Sequence, residues 1–151
     1  MRGDVLIPSR MTVTFTLRRN TDSQLPATHT IEITFDMPAT APHIVVANVT
    51  GVLMNAAQRT HGEPLTGRLI TAAPNHFVFG LSAFPSDAER NGALLRDRRR
   101  FDIPIVYQDG HRAMLAINKG TAGERILNDA IAAWQKAGAA DANGTNAGAA
   151  K

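Results

Sequence analysis

The densest charge in this 151-residue chain is Arg96, Arg98, Arg99 and Arg100, four guanidinium groups within five residues. Such a cluster can hold a phosphate, a nucleic-acid backbone or an acidic protein surface. Asp97 and Asp102 dilute it, and no stacking aromatics accompany it, so nucleic acid is not the expected partner. The default reading is a solvated helix end whose arginines complement the C-terminal dipole. A second candidate is Lys119-Gly120-Thr121-Ala122-Gly123, a glycine-rich turn opening a helix, where free N–H groups and the positive dipole end face an anion. It lacks the GxxxxGK[ST] order of a P-loop, and Glu124 already occupies the first turn. Its default reading is a structural cap. Contact with an anion or a partner, if the chain makes one here, falls to Arg96, Arg98, Arg99, Arg100, Lys119, Gly120 and Thr121.

Catalytic and metal chemistry have weaker footing. His29, His43, His61, His76 and His111 show no i, i+2 or i, i+4 spacing, and HExxH is absent. No cofactor and no metal are expected. Cysteine is absent, which excludes disulfides, thiolate metal sites and Cys nucleophiles. Gly80-Leu81-Ser82 lacks the closing glycine of a nucleophile elbow, and Ser9, Ser23 and Ser86 fall at turns or caps. Carboxylate pairs meet in space, so spacing does not decide whether Asp36, Glu63, Asp102 or Asp109 form one. An enzyme here would assemble its site from loop residues such as His61, Glu63, His76 and Asp109. Arg2-Gly3-Asp4 is an adhesion-like tripeptide, a match short enough to arise by chance.

The elements that must position these residues are mostly strands. Met11, Val13, Phe15 and Leu17 alternate with threonines, and Ile31, Ile33 and Phe35 alternate with Thr30, Glu32 and Thr34. Both are half-buried strands, expected to pair across a loop from about Asn20 to Ala27. Val5 to Ile7 form a short strand ended by Pro8. Ile44-Val45-Val46, then Val49, Val52, Leu53 and Met54, suggest a short strand, a Gly51 turn and another short extended piece, and Gln58 to Pro64 a polar loop. Leu65 to Ala72 and His76 to Leu81 form a pair about Pro74-Asn75, with Phe77 and Phe79 on one face. Ser86 and Glu89 make a capping box for a helix reaching Arg98, with Leu94 and Leu95 inward. Gly92 interrupts that helix at a cost of about 1 kcal/mol. Phe101, Ile103, Ile105 and Tyr107, the Asp109-Gly110 turn, then Ala113, Leu115 and Ile117 read as a hairpin. Pro104 places its first strand at an edge or turns the missing N–H outward. A second capping box, Thr121 with Glu124, opens a helix with Leu127, Ala130, Ile131 and Trp134 on one face, stopping near Gly138.

The sum is an α+β fold, mainly antiparallel β in a sandwich-like sheet, with one helix before the last hairpin and another at the C-terminus. Residues 1–137 form a single domain, and 138–151 are a low-complexity tail expected to be disordered. MRGDVLIPSR has no apolar core of a signal peptide, and no run approaches the roughly 18 apolar residues of a spanning helix. The chain as it stands is therefore expected to be soluble.

The runs LRRNTDSQLPATHTIEITF, NVTGVLMN, GEPLTGRLITAA and FDIPIVYQDGHRAMLAINKGTAGERILNDAIAAW, in this order, resemble the C-terminal domain of certain proteobacterial proteins, mostly alphaproteobacterial. Those proteins carry an N-terminal membrane helix and a proline-rich linker and have no assigned activity. The helix with its leucine pair, the DG-turn hairpin and the closing apolar helix are also similar to the periplasmic invasion-associated locus B proteins. The resemblance implies a non-catalytic, periplasmic, envelope-associated domain that works through protein contacts. It implies membrane association only through an anchor upstream of Met1, and an Arg2–Ile7 strand edge open to pairing with a second copy.

Overall fold

The computed structural model describes residues 2–7, 11–22, 24–37, 39, 45–56, 61–120, 123 and 125–133, with the backbone alone for 2–7. Five strands make one antiparallel sheet, in the order β1 (Arg2–Ile7), β2 (Met11–Arg19), β3 (Ala27–Asp36), β8 (His76–Ser82) and β7 (Gly67–Ala73). The second sheet runs β10 (Arg112–Asn118), β9 (Arg100–Tyr107), β5 (Leu53–Asn55), β6 (Glu63–Pro64), with β4 (Val46–Val49) also paired to β9. Helix α1 (Pro85–Asp97) connects β8 to β9, and residues 125–133 form a second helix, α2. The fold is α+β and sandwich-like.

Alternation makes the core. Met11, Val13, Phe15 and Leu17, then Ile31, Ile33 and Phe35, then Phe77, Phe79 and Leu81 are buried on one face of the first sheet. Val46, Val49, Met54, Phe101, Ile103 and Ile105 answer them from the second. The Phe15 and Phe101 rings meet across the sandwich with centroids 4.7 Å apart. Leu94 and Leu95 of α1 and Leu127 and Ile131 of α2 complete the cluster. Each fully buried large apolar side chain contributes about 2 kcal/mol. A second tie between sheets is Asn75, at φ 60° in the β7–β8 turn, whose Oδ1 accepts the Val46 N–H at 2.7 Å.

Several expectations need correction. Strand β9 is interior, with β10 on one side and β4 and β5 on the other. Tyr107 N–H donates to His111 and Gln108 N–H to Val45, so odd residues of β9 bond to β10 and even ones face β4. Pro104 therefore turns its missing N–H toward Thr50, whose own N–H still donates to the Pro104 carbonyl at 3.2 Å. The facing strand is broken there, with β4 ending at Val49 and β5 starting at Leu53. A central proline is tolerated because its neighbour is interrupted.

Helix α1 begins at Pro85, with Phe84 as N-cap and no side-chain cap, so Ser86 is not the capping residue. Proline's fixed φ suits the first helical position and settles the start. Ser82 does the nearby work, donating to Asp87 Oδ2 at 2.7 Å and accepting the Phe84 N–H at 3.3 Å. The polar segment 58–64 contributes the short strand β6, and the strand expected from Leu65 starts at Gly67, leaving Leu65 as a buried plug. Thr121, Glu124, Trp134, Gly138 and the tail 138–151 lie outside the described residues.

Candidate functional site

Strand β2 ends at Arg19, which stands opposite His29 of β3. The turn joining them is organised by Asn20. Its Nδ2 donates to the carbonyls of Asp22, Leu25 and Ala27 at 2.9–3.0 Å, and its Oδ1 accepts the Asp22 N–H at 2.9 Å. This hairpin end is thus held rigid before anything binds to it.

Facing it is α1, where Ala88, Gly92 and Arg96 recur every fourth residue and so share one stripe. Between the two lies a cleft of about 630 Å³, closed at one side by Ile131 of α2. Buried Leu81, Leu95 and Ile131 make an apolar floor, and Ala88 and Gly92 leave the helix wall low. Arg19, His29, Glu89 and Arg96 line it as its titratable groups, two of them permanent cations. The Arg96 side chain makes no ion pair or hydrogen bond with another described residue. Burial pushes the His29 pKa below its ordinary value, and the Arg19 charge pushes it further in the same direction. His29 is therefore neutral at pH 7, with one donor and one acceptor nitrogen. The volume falls in the range of small-molecule sites, and an apolar floor with a few convergent polar groups is their usual composition.

The arginine run divides because it spans a helix end, a cap and a strand start. Arg96 is on the cleft stripe. Arg98 is the helix C-cap and donates to Glu63 Oε1 at 2.6 Å. Arg100 begins β9 and engages Asp102 through Nε at 2.7 Å and Nη2 at 3.1 Å, while Asn55 donates to the same carboxylate at 2.8 Å. Arg99 is exposed. The expectation of a common anion contact does not extend to Lys119. Its side chain is 7% exposed, its ammonium donates to the Leu95 carbonyl in the last turn of α1, and it lies 5.8 Å from the Phe101 ring centroid. A cation there complements the helix dipole from inside. Gly120 is exposed at φ 65°, and Thr121 lies outside the described residues.

The residues considered for an enzyme are dispersed. Glu63 pairs with Arg98 beside β6, and His61 is exposed two residues before it. His76 Nε2 lies 2.7 Å from Glu32 Oε1 on the outer face of the first sheet, where Arg18 donates to the other Glu32 oxygen at 2.5 Å. Asp109 is at the exposed β9–β10 turn, its carboxyl held below the usual range by hydrogen bonds from His111. Among the described residues no three His, Asp or Glu side chains group as a metal site.

Sequence reasoning missed Arg19, His29 and Asn20 as parts of one site. The signal that could have pointed here is Gly92, read only as a costly interruption of the helix. No family model, curated protein or solved structure matches the chain.

Proposed function

We propose that this chain is a non-catalytic binding domain, and that its cleft takes an organic anion carried on an apolar body. The observation that carries the reading is Arg96, a cation with no ion pair among the described residues, on the same stripe as Gly92, above a floor of Leu81, Leu95 and Ile131. The anionic end pairs with Arg96, Arg19 adds positive charge to the cleft, and the apolar body covers the floor. The setting implied by the sequence resemblance is the periplasm, where such a domain acts by contact and not by turnover.

The test is a titration of isotope-labelled protein with octanoate, and with octanol as the uncharged control. Octanoate is expected to shift the amide signals of His29, Gly92 and Arg96 saturably, and octanol is not. Arg96→Gln removes one charge-assisted bond and weakens octanoate about tenfold. Equal responses to octanoate and octanol, or signal changes confined to other surfaces, would sink the proposal.

A further inference from the structure

We infer, resting on the cleft site proposed above, that Glu89 fixes the class of ligand it takes: a linear ω-amino carboxylate, its carboxylate on Arg96 and its ammonium on Glu89.

Glu89, Gly92 and Arg96 stand at i, i+3 and i+7 of α1 and so share one stripe. Glu89 and Arg96 line the cleft and are exposed on its rim, with half-buried Gly92 low between them. Seven residues of helix separate their Cα atoms by about 10.5 Å. Arg96 Nη1 lies 3.6 Å from the place a Cβ would take on Gly92, so this side chain leans back one turn toward the helix N-terminus. Long helical side chains share that lean. A like lean at Glu89 keeps the two charges about 10 Å apart, too far to neutralise each other. The Glu89 side chain, like that of Arg96, makes no ion pair or hydrogen bond with another described residue.

The structural duties of this part of the helix fall to its neighbours. Asp87 occupies the first turn, where an acid complements the dipole, and accepts from Ser82. Arg90 and Asn91 donate to the Pro64 and Thr66 carbonyls on the other side. Glu89 is left on the cleft. Eight bonds of an extended chain span about 10 Å, which is the reach of 8-aminooctanoate from carboxylate to ammonium. Its methylenes then cover Leu81, Leu95 and Ile131. The same arrangement rejects octanedioate, whose second carboxylate meets Glu89.

The test is an amide-shift titration at pH 7 with 8-aminooctanoate and octanedioate, ligands of equal length that differ only in the charge of the far end. An exposed ion pair is worth up to about fivefold in affinity, so the native chain is expected to favour 8-aminooctanoate about fivefold. Glu89→Gln should erase that preference. Glu89→Lys should reverse it, with circular dichroism showing that the fold is kept. Octanoate on the native chain separates this reading from the one beneath it. If octanoate does not bind, the cleft site falls and Glu89 with it. If octanoate binds but the native chain takes octanedioate as tightly as 8-aminooctanoate, Arg19 receives the second carboxylate and the role of Glu89 alone is overturned. A preference that Glu89→Lys leaves in place overturns it equally.

Discussion

Replacing Gly92 by alanine sets what the helix prefers against what the cleft requires. Glycine inside a helix costs about 1 kcal/mol relative to alanine. A Cβ added at Gly92 meets only Arg96 Nη1, at 3.6 Å, an ordinary contact that strains nothing. Gly92→Ala should therefore stabilise the fold by about 1 kcal/mol, raising Tm by about 4 °C for a domain of this size. The same methyl stands in the cleft wall beside Arg96, where it displaces about one methylene of an apolar ligand. That loss is worth about 0.8 kcal/mol, or about fourfold in affinity. Thermal melts followed by circular dichroism and octanoate titrations on the same samples read the two effects. Stability up and affinity down identifies a glycine kept for the ligand. A lowered Tm would mean that Gly92 serves packing and that the helix wall is misread. A raised Tm with unchanged affinity would remove this wall from the binding site.

Two further outcomes follow from the polar interior and from His29. Asp102 is 4% exposed and accepts three hydrogen bonds from Arg100 and Asn55; Asp102→Ala strands a largely buried guanidinium and should cost about 3 kcal/mol in urea unfolding, whereas a loss under about 1 kcal/mol would show that water replaces the carboxylate. His29 has its folded pKa lowered by burial and by Arg19, below an unfolded value of 6.5. The unfolded chain thus binds a proton that the native chain refuses, so this contribution is complete above about pH 6.5 and is lost as pH falls toward the folded pKa. His29→Gln should flatten the fall in stability between roughly pH 7 and pH 5, and an unchanged slope would refute the assignment. Arg19 on β2 and Glu89 and Arg96 on α1 are the charged groups lining the cleft with His29.

Much of the fold was legible because the physics behind it is local. The threonine and apolar residues of β2 and β3 alternate without a break, so their faces and their pairing followed directly. The Asp109-Gly110 turn marked the last hairpin, and Gly110 does adopt the positive φ of 91° that such a turn uses. Errors arose where a neighbour outside the local window decides. Pro104 looked like an edge residue because nothing nearby in sequence announces the break between Val49 and Leu53. Ser86 looked like a cap because the Ser-x-x-Glu pattern is local, but Pro85 before it had already started the helix. The cleft was the least legible part. Arg19, His29, Gly92 and Ile131 come from four elements spread over more than a hundred residues, and no spacing rule connects them. Arg96 was singled out for its charge among neighbouring arginines, yet it differs from Arg98 and Arg100 only because Glu63 and Asp102 claim those two.

The strand order also governs how this chain reaches its native state. The first sheet takes β1 to β3, the second β4 to β6, then the first takes β7 and β8 and the second β9 and β10. No contiguous fragment holds either sheet whole without also carrying strands of the other. The β3–β8 ladder joins Ile33 to Phe77, and the β5–β9 ladder joins Met54 to Phe101, both closures of more than forty residues. Such non-local pairings demand loop entropy before they return any stability, so folding is slow for the chain's size and close to all-or-none. Each sheet waits on the other: β8 cannot settle against β3 until the chain has made the excursion through β4 to β6. A nick in the 57–60 segment would consequently leave two pieces that must associate to recover any native sheet beyond the β1–β3 meander and the hairpins β7–β8 and β9–β10.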